Sequence, residues 1–395
     1  KDPVYLFEKK LIKDKLLSQK KIDLIYEEMN HKIDKGINDA FDSSFPVSSK
    51  QQELNDVYAV NSDKPINPNG ESHELRHVDA IKESLYQSMK RDDKVILMGQ
   101  DIAEYGGVFK ITEGFVDEFG KERVRNTPII ESGVIGAALG LSIEGFKPIV
   151  EMQFADFISC GINQVINNLA KTHYRWGQPV NVTLRMPTGG GVSAGPFHSQ
   201  NLESLFMHIP GLKIVYPSCP YDAKGLLTSS INDPNPILFF EHKLLYRTQK
   251  TNVPKKEYTL EIGKGRIIQQ GEDLTVVTYG LSTIWLKEML EELKEQNISI
   301  ELIDLRSLMP WDKNLVYDSI RKTNKVLIVH EANQTGGIGA EISASISNDL
   351  FEYLDAPVER LGSIDIPTPF NNELEQNIFW PKNEIVGTIK KLIKY

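Results

Sequence analysis

From about residue 73 onward, apolar strand-like runs alternate with helical stretches, and that alternation restricts the chain to an α/β architecture with parallel sheets. HVDAIKESLYQSMKRDD reads as an amphipathic helix, followed by KVILMGQDI, a buried strand ending in Gly99. PIVEMQF, the helix ADFISCGINQVINNLAKTHY, the strand VNVTLRMP, a glycine-rich turn, the helix YDAKGLLTSSIND and the strand PILFFEH continue the series. A second, tighter unit starts near Gly265, with DLTVVTYG, a helix through about Gln296, SIELIDLRSL, KVLIVHE and a helix after TGGIG. The polar, Lys-rich RTQKTNVPKKEYTLEIG separates the two, which places a boundary near 250–262.

Residues 1–45 read as a helical tail. Ile22, Ile25, Met29, Ile33 and Ile37 recur at helical spacing and Ser18 is a suitable N-cap, so this segment needs a surface for its single apolar stripe. Residues 46–72, broken by Pro46, Pro65 and Pro68, have linker composition. The chain opens on Lys1 without methionine, as a processed product or a piece of a longer one would.

Composition narrows the function classes. A net charge of −9 argues against a general nucleic-acid binder. No run reaches the ~18 apolar residues of a membrane span. Cys160 and Cys219 are too few for a disulfide framework and read as reduced packing thiols of an intracellular protein.

Four loops merit attention, because a doubly wound sheet places ligands at the C-terminal ends of its strands. In TPIIESGVIGAALG a lone carboxylate, Glu131, opens a run of small and apolar residues. It is either a helix-start acid favoured by the helix dipole or a carboxyl held for proton transfer in a dry pocket. In FADFISCGINQV, Phe154 and Phe157 are core residues, or Phe157 offers a flat face to a heteroaromatic ring. TGGGVSAGPFHSQ carries His198 on a glycine-rich loop, as an acid–base group or as an exposed turn residue. HEANQTGGIGAEIS lacks the spacing of a dinucleotide fingerprint and reads as a tight turn opening a helix, with a partner subunit as one surface it could face.

In order, GQDIAEYGGVFKITEGF, RVRNTPIIESGVIGAALG, MQFADFI, PFHSQNLESLFMHIPGLKIVYPS, DAKGLL and DPNPILFFEH resemble the beta subunits of thiamine-diphosphate-dependent 2-oxo acid dehydrogenases, the decarboxylating components of large multienzyme complexes. The resemblance runs from about residue 73 to Tyr395. It implies a pyrimidine-binding parallel-sheet domain at 73–260 and a transketolase C-terminal-type α/β domain at 261–395. KDPVYLFEKKLIKDKLLSQKKIDLIYEEMN resembles the end of the alpha subunit of the same enzymes, which implies a fused alpha–beta product joined through 46–72. Members bind the cofactor diphosphate through Mg²⁺ and a GDG…N motif in the alpha portion, and no GDG occurs here. This chain is therefore expected to hold the pyrimidine half of the site and to be inactive alone.

Carried over by position, Glu131 matches the glutamate that hydrogen-bonds N1′ of the aminopyrimidine and favours its imino tautomer. Phe157 matches the aromatic that stacks on the pyrimidine. His198 matches the histidine that handles substrate and passes the acyl group to a lipoyl disulfide, and Gln153 lies near the same pocket. Some members hold a structural K⁺, and the matching positions are Val180, Val182, Thr183, Ser230, Asp233 and Asn235, several acting through backbone carbonyls that suit a hard cation. LFFEHKLLYR and HEANQTGGIGAEIS look more like branched-chain enzymes, which implies oxidation of 3-methyl-2-oxobutanoate and its relatives; pyruvate or acetoin enzymes and a non-catalytic assembly module are the alternatives. The implied partners are the alpha portion, a second beta portion and a lipoyl acyltransferase core, in the cytoplasm or a mitochondrial matrix.

Overall fold

A computed structural model describes residues 2–395, which divide into two compact units, one ending at Leu54 and the other Asn55–Tyr395. The tail expected over 1–45 is not one helix but two, Pro3–Lys13 and Gln19–Asp42. Asp2 caps the first, accepting from the Val4 amide at 2.8 Å, and Ser18 caps the second from Lys21 at 3.3 Å. The Tyr26 hydroxyl donates to Glu8 at 2.5 Å and ties the pair together. Of the apolar stripe only Ile22 is buried; Ile25, Met29, Ile33 and Ile37 are 44–52% exposed.

The second unit is built on two large sheets. One has seven strands in the order Ser307–Met309, Lys213–Val215, Ile237–His242, Thr183–Thr188, Lys147–Glu151, Val95–Gly99 and Val124–Asn126. All pairings in it are parallel except the first, where Ser307–Met309 runs antiparallel to Lys213–Val215. The other has five, ordered Glu359–Ser363, Val326–Asn333, Leu274–Thr278, Ile300–Asp304 and Arg266–Gln269, with only the last antiparallel. Val95–Gly99 and Ile237–His242 are buried at every residue, as parallel strands covered on both faces must be. A small antiparallel pair, Ser72–Arg76 with Lys250–Pro254, brackets the first domain.

The helices follow from their periodicity. His77–Arg91 buries Val78, Ile81, Leu85 and Met89 on one stripe, and places Lys90 and Arg91 in the last turn, where the helix dipole favours cations. It lies on Pro220–Asn232, where Ser84 and Thr228 share a 2.9 Å hydrogen bond. One apolar cluster runs from Ile96, Val150, Leu184 and Leu238 in the first sheet to Val277, Ile303 and Ile328 in the second. The two domains thus share a core. Asp222 adds polar ties between them, to Arg306 at 3.0 Å and Arg266 at 3.1 Å.

Two segments carry more local structure than composition specified. The stretch 46–72 contains a short helix, Lys50–Asn55, and its second half is pinned down. Asn235 donates to the Ala59 carbonyl and accepts from its amide at 2.9 and 2.8 Å, while the Ile66 amide reaches Thr259 at 2.8 Å. The expected single helix after Phe154 is instead a 3₁₀ stretch (Ala155–Gly161), a π-wound stretch (Gln164–Leu169) and an α-helix (Ala170–Trp176). Among the described residues no helix is long and apolar enough to cross a membrane.

Candidate active site

The site forms where the strands Val95–Gly99, Lys147–Glu151 and Thr183–Thr188 run out at their C-terminal ends. Glu131 is the first residue of the helix Glu131–Ile143 and is half-buried. Its Oε1 accepts from Gln100 Nε2 at 3.2 Å, just beyond the first of those strands. The helix start lies hard against the 3₁₀ stretch: a Cβ on Gly161 would sit 3.5 Å from the Glu131 carbonyl carbon and 2.6 Å from Ile135 Cδ1. Glycine at 161 therefore leaves room for the Ile135 side chain where the acid-bearing helix meets the aromatic-bearing turn.

That turn carries Phe157, half-buried and packed on the core. Phe154, Phe157 and His198 form one edge-to-face cluster. His198 meets Phe154 with ring centroids 4.8 Å apart and Phe157 at 5.6 Å, and the two phenyl rings stand 5.8 Å apart. The glycine-rich loop thus delivers its histidine onto the aromatic turn. Asp156, buried in the same turn, holds the far end of the loop by accepting from the Gln200 amide at 3.1 Å and its side chain at 2.8 Å. Gln153 precedes Phe154 and is half-buried.

A buried ion triad lies on three neighbouring strands of this sheet. Arg185 donates to Glu151 at 2.5 Å and, through two nitrogens, to Glu241 at 2.7 and 2.8 Å; Tyr246 adds a 2.6 Å bond to Glu241. Burial pushes the Glu151 carboxyl up from its ordinary value, against the pull of Arg185. Next to it Lys243, donating to the Gly189 carbonyl at 2.5 Å, is lowered to about 8 by burial in spite of Asp156, Glu331 and Glu375. None of Gln100, Asp156, Arg185 or Lys243 stood out in the sequence. For Arg185 and its partners the available signal was a single charge inside each of three apolar runs, PIVEMQF, VNVTLRMP and PILFFEH; for Gln100, Asp156 and Lys243 there was none of that kind.

The six residues expected around a potassium ion do come together, beside the strand Thr183–Thr188 and the helix Pro220–Asn232. Their oxygens are already engaged. Asp233 accepts from the Asn235 side chain at 2.9 Å and pairs with Lys213 at 2.7 Å. The Val182 carbonyl accepts from Ile237 at 2.9 Å, that of Val180 from Val182 at 3.2 Å, and that of Ser230 from Thr183 Oγ1 at 3.1 Å. Only the second lone pairs of those carbonyls remain for a cation. The fourth glycine-rich motif opens the helix Ile338–Asp349, with Gly337 and Gly339 packed on the His330 ring.

A carboxylate, an aromatic turn and a loop histidine above a parallel sheet, with a second α/β domain behind, define a chain of the transketolase pyrimidine-binding class. Its two parts match known families: the transketolase pyrimidine binding domain over residues 73–249 and the transketolase C-terminal domain over 263–385. The 2-oxoisovalerate dehydrogenase subunit beta of Bacillus subtilis is 42% identical over 326 residues, 81% of this chain and 99% of that one. The mitochondrial 2-oxoisovalerate dehydrogenase subunit beta 2 of Arabidopsis thaliana is 40% identical, with 89% and 97% covered. The pyruvate dehydrogenase E1 component subunit beta of Staphylococcus aureus is 39% identical, with 82% and 99% covered. A solved split-gene transketolase chain, from an inactive beta4 tetramer, superposes with a TM-score of 0.67 over 81% of this chain and 98% of its own; at 21% identity it speaks to the fold alone. The chain belongs to the family of 2-oxo acid dehydrogenase E1 beta subunits, an oxidoreductase family.

Proposed function

We propose that this chain supplies the pyrimidine half of a thiamine-diphosphate site in a branched-chain 2-oxo acid dehydrogenase, and that its alpha portion supplies the diphosphate half with Mg²⁺. The observation that carries the reading is the joining of Glu131, Phe157 and His198 through one turn: the Glu131 helix meets it at Gly161, and His198 packs on its phenyl rings. When bound, the cofactor supplies a carbanion at its thiazolium ring and an electron sink for loss of CO₂. Glu131 is assigned to hold a proton at the pyrimidine N1′, Phe157 to orient that ring, and Gln153 to line the same pocket. His198, half-buried against the aromatic turn, is assigned to move a proton as the acyl group passes to a lipoyl disulfide. The residues fit the group chemically, since a lone half-buried acid at a helix start faces a turn bearing aromatic rings.

The same reading makes residues 1–45 the end of a fused alpha portion, with a beta–beta pairing and a lipoyl acyltransferase core as further partners. It also retains K⁺ at the carbonyls of Val180, Val182 and Ser230, for which a higher Tm in KCl than in NaCl is the expected outcome. Branched-chain substrates rest on the motifs quoted above, since identities of 42% and 39% do not separate branched-chain from pyruvate enzymes. The test assays the full alpha–beta enzyme with 3-methyl-2-oxobutanoate and pyruvate in competition. Glu131→Gln is expected to abolish decarboxylation and leave the far-UV spectrum intact. Near-normal turnover in that variant would overturn the proposal, and a preference for pyruvate would overturn its substrate assignment.

A further inference from the structure

The turn Gly189–Gly191, at the root of the His198 loop, is gripped by two carboxylates from the other domain. The Gly190 amide donates to Glu331 at 2.8 Å and the Gly191 amide to Glu375, also at 2.8 Å. Glu331 sits on the strand Val326–Asn333 and Glu375 near the C-terminal end of the chain, and both are almost fully buried. The approach is so close that a Cβ would sit 2.1 Å from His242 Nε2 at Gly189 and 2.1 Å from Glu375 Oε1 at Gly190. Farther along the same loop, a Cβ on Gly195 would lie 3.2 Å from the Phe370 ring, and Thr368 donates to the Ser199 carbonyl at 3.4 Å. The second domain therefore touches the loop before, within and after the segment that presents His198.

Glu331 is held by a bond pattern that tolerates no amide. The Leu244 amide donates to His242 Nδ1 at 3.2 Å, so the ring proton is assigned to Nε2, which donates to Glu331 Oε2 at 2.6 Å. Each oxygen of Glu331 thus accepts from a buried N–H, one from His242 and one from Gly190. A glutamine there would present one oxygen and one NH₂ group, and whichever way it turned, one of the two N–H groups would face a donor. Flipping the His242 tautomer gives no escape, because Nδ1–H would then meet the Leu244 amide.

We propose that Glu331 and Glu375 are positioning residues that hold the His198 loop against Phe154 and Phe157, so that the second domain sets the placement of the active-site histidine. The kinetic consequence rests on the role proposed for His198; the structural consequence does not. In the alpha–beta holoenzyme, Glu331→Gln is expected to lower kcat for acylation of a lipoyl domain about tenfold or more, with KM for the 2-oxo acid little changed. In a His198→Ala background the same substitution is expected to add less than about twofold, because the group it positions is gone. Hydrogen exchange on this chain supplies the second arm: amides of the 190–200 loop should exchange at least about tenfold faster in Glu331→Gln and in Glu375→Leu, which removes the only acceptor of the Gly191 amide, with the sheet strands unchanged. If Glu331→Gln fails to fold, Glu375→Leu carries both arms. Unchanged loop exchange in a folded variant overturns the proposal, as does an acylation loss that multiplies in full with His198→Ala. If His198→Ala itself leaves acylation intact, the role given to His198 falls, and loop exchange alone then decides the positioning.

Discussion

Arg185 offers the sharpest test of how this site is supported. Its guanidinium is 1% exposed and satisfies two carboxylates at once, Glu151 through one bond and Glu241 through two. Arg185→Met keeps most of the volume and removes the charge, leaving two buried acids without their cation. Breaking a buried pair by removing one partner costs about 3–5 kcal/mol. With about 2.1 cal/mol/K of unfolding entropy per residue over the Asn55–Tyr395 unit, about 0.7 kcal/mol/K in all, that cost is a Tm drop of about 4–7 °C. The deficit must also depend on pH. Burial already raises Glu151, and without Arg185 nothing opposes it, so its folded-state value moves further above the unfolded one. The folded variant then binds a proton the unfolded chain has lost, and stability falls as pH rises through that window. Thermal scans of both proteins at pH 5 and pH 8 should show the larger gap at pH 8. A variant within 1 °C of wild type at pH 8 by about the precision of such scans, or a gap independent of pH, would refute the reasoning.

Three further outcomes are expected. Gly161→Ala must displace the tip of the Ile135 side chain while meeting the Glu131 backbone at ordinary contact distance, so a stability loss of about 1–3 kcal/mol by urea unfolding is expected. Lys243, lowered to about 8 in the folded state, should make the protein gain up to about 3 kcal/mol relative to Lys243→Met as pH rises from 8 toward 10.5, because the unfolded chain binds the extra proton in that interval. Cys160 is exposed, while Cys219 is buried with its thiol raised to about 12, so a thiol reagent should label one cysteine promptly and the second only on unfolding.

The strands and helices were legible because buried parallel strands are written as short apolar runs, and Val95–Gly99 and Ile237–His242 are such runs with little interruption. Glu131 was legible as an anomaly, a lone acid among glycines, and His198 as the payload of a costly loop. What composition left hidden was pairing across sequence distance. Arg185 gains its meaning only beside Glu151 and Glu241, and nothing local in VNVTLRMP names them. The winding after Phe154 was missed for a related reason. Its apolar spacing fits an α-helix, and the tighter 3₁₀ turn appears where the Glu131 helix packs against Gly161.

The short strand Ser307–Met309 carries a consequence for synthesis. It belongs by sequence to the second domain yet closes the edge of the first sheet, beside Lys213–Val215. A ribosome that has released the whole first domain has still not delivered its last strand. At about 5–20 residues per second, that edge waits several seconds with its backbone donors and acceptors open. During that interval the nascent sheet can recruit a strand from another chain. Expression of the first domain by itself would make the interval permanent, and the expected product is aggregate rather than a soluble half.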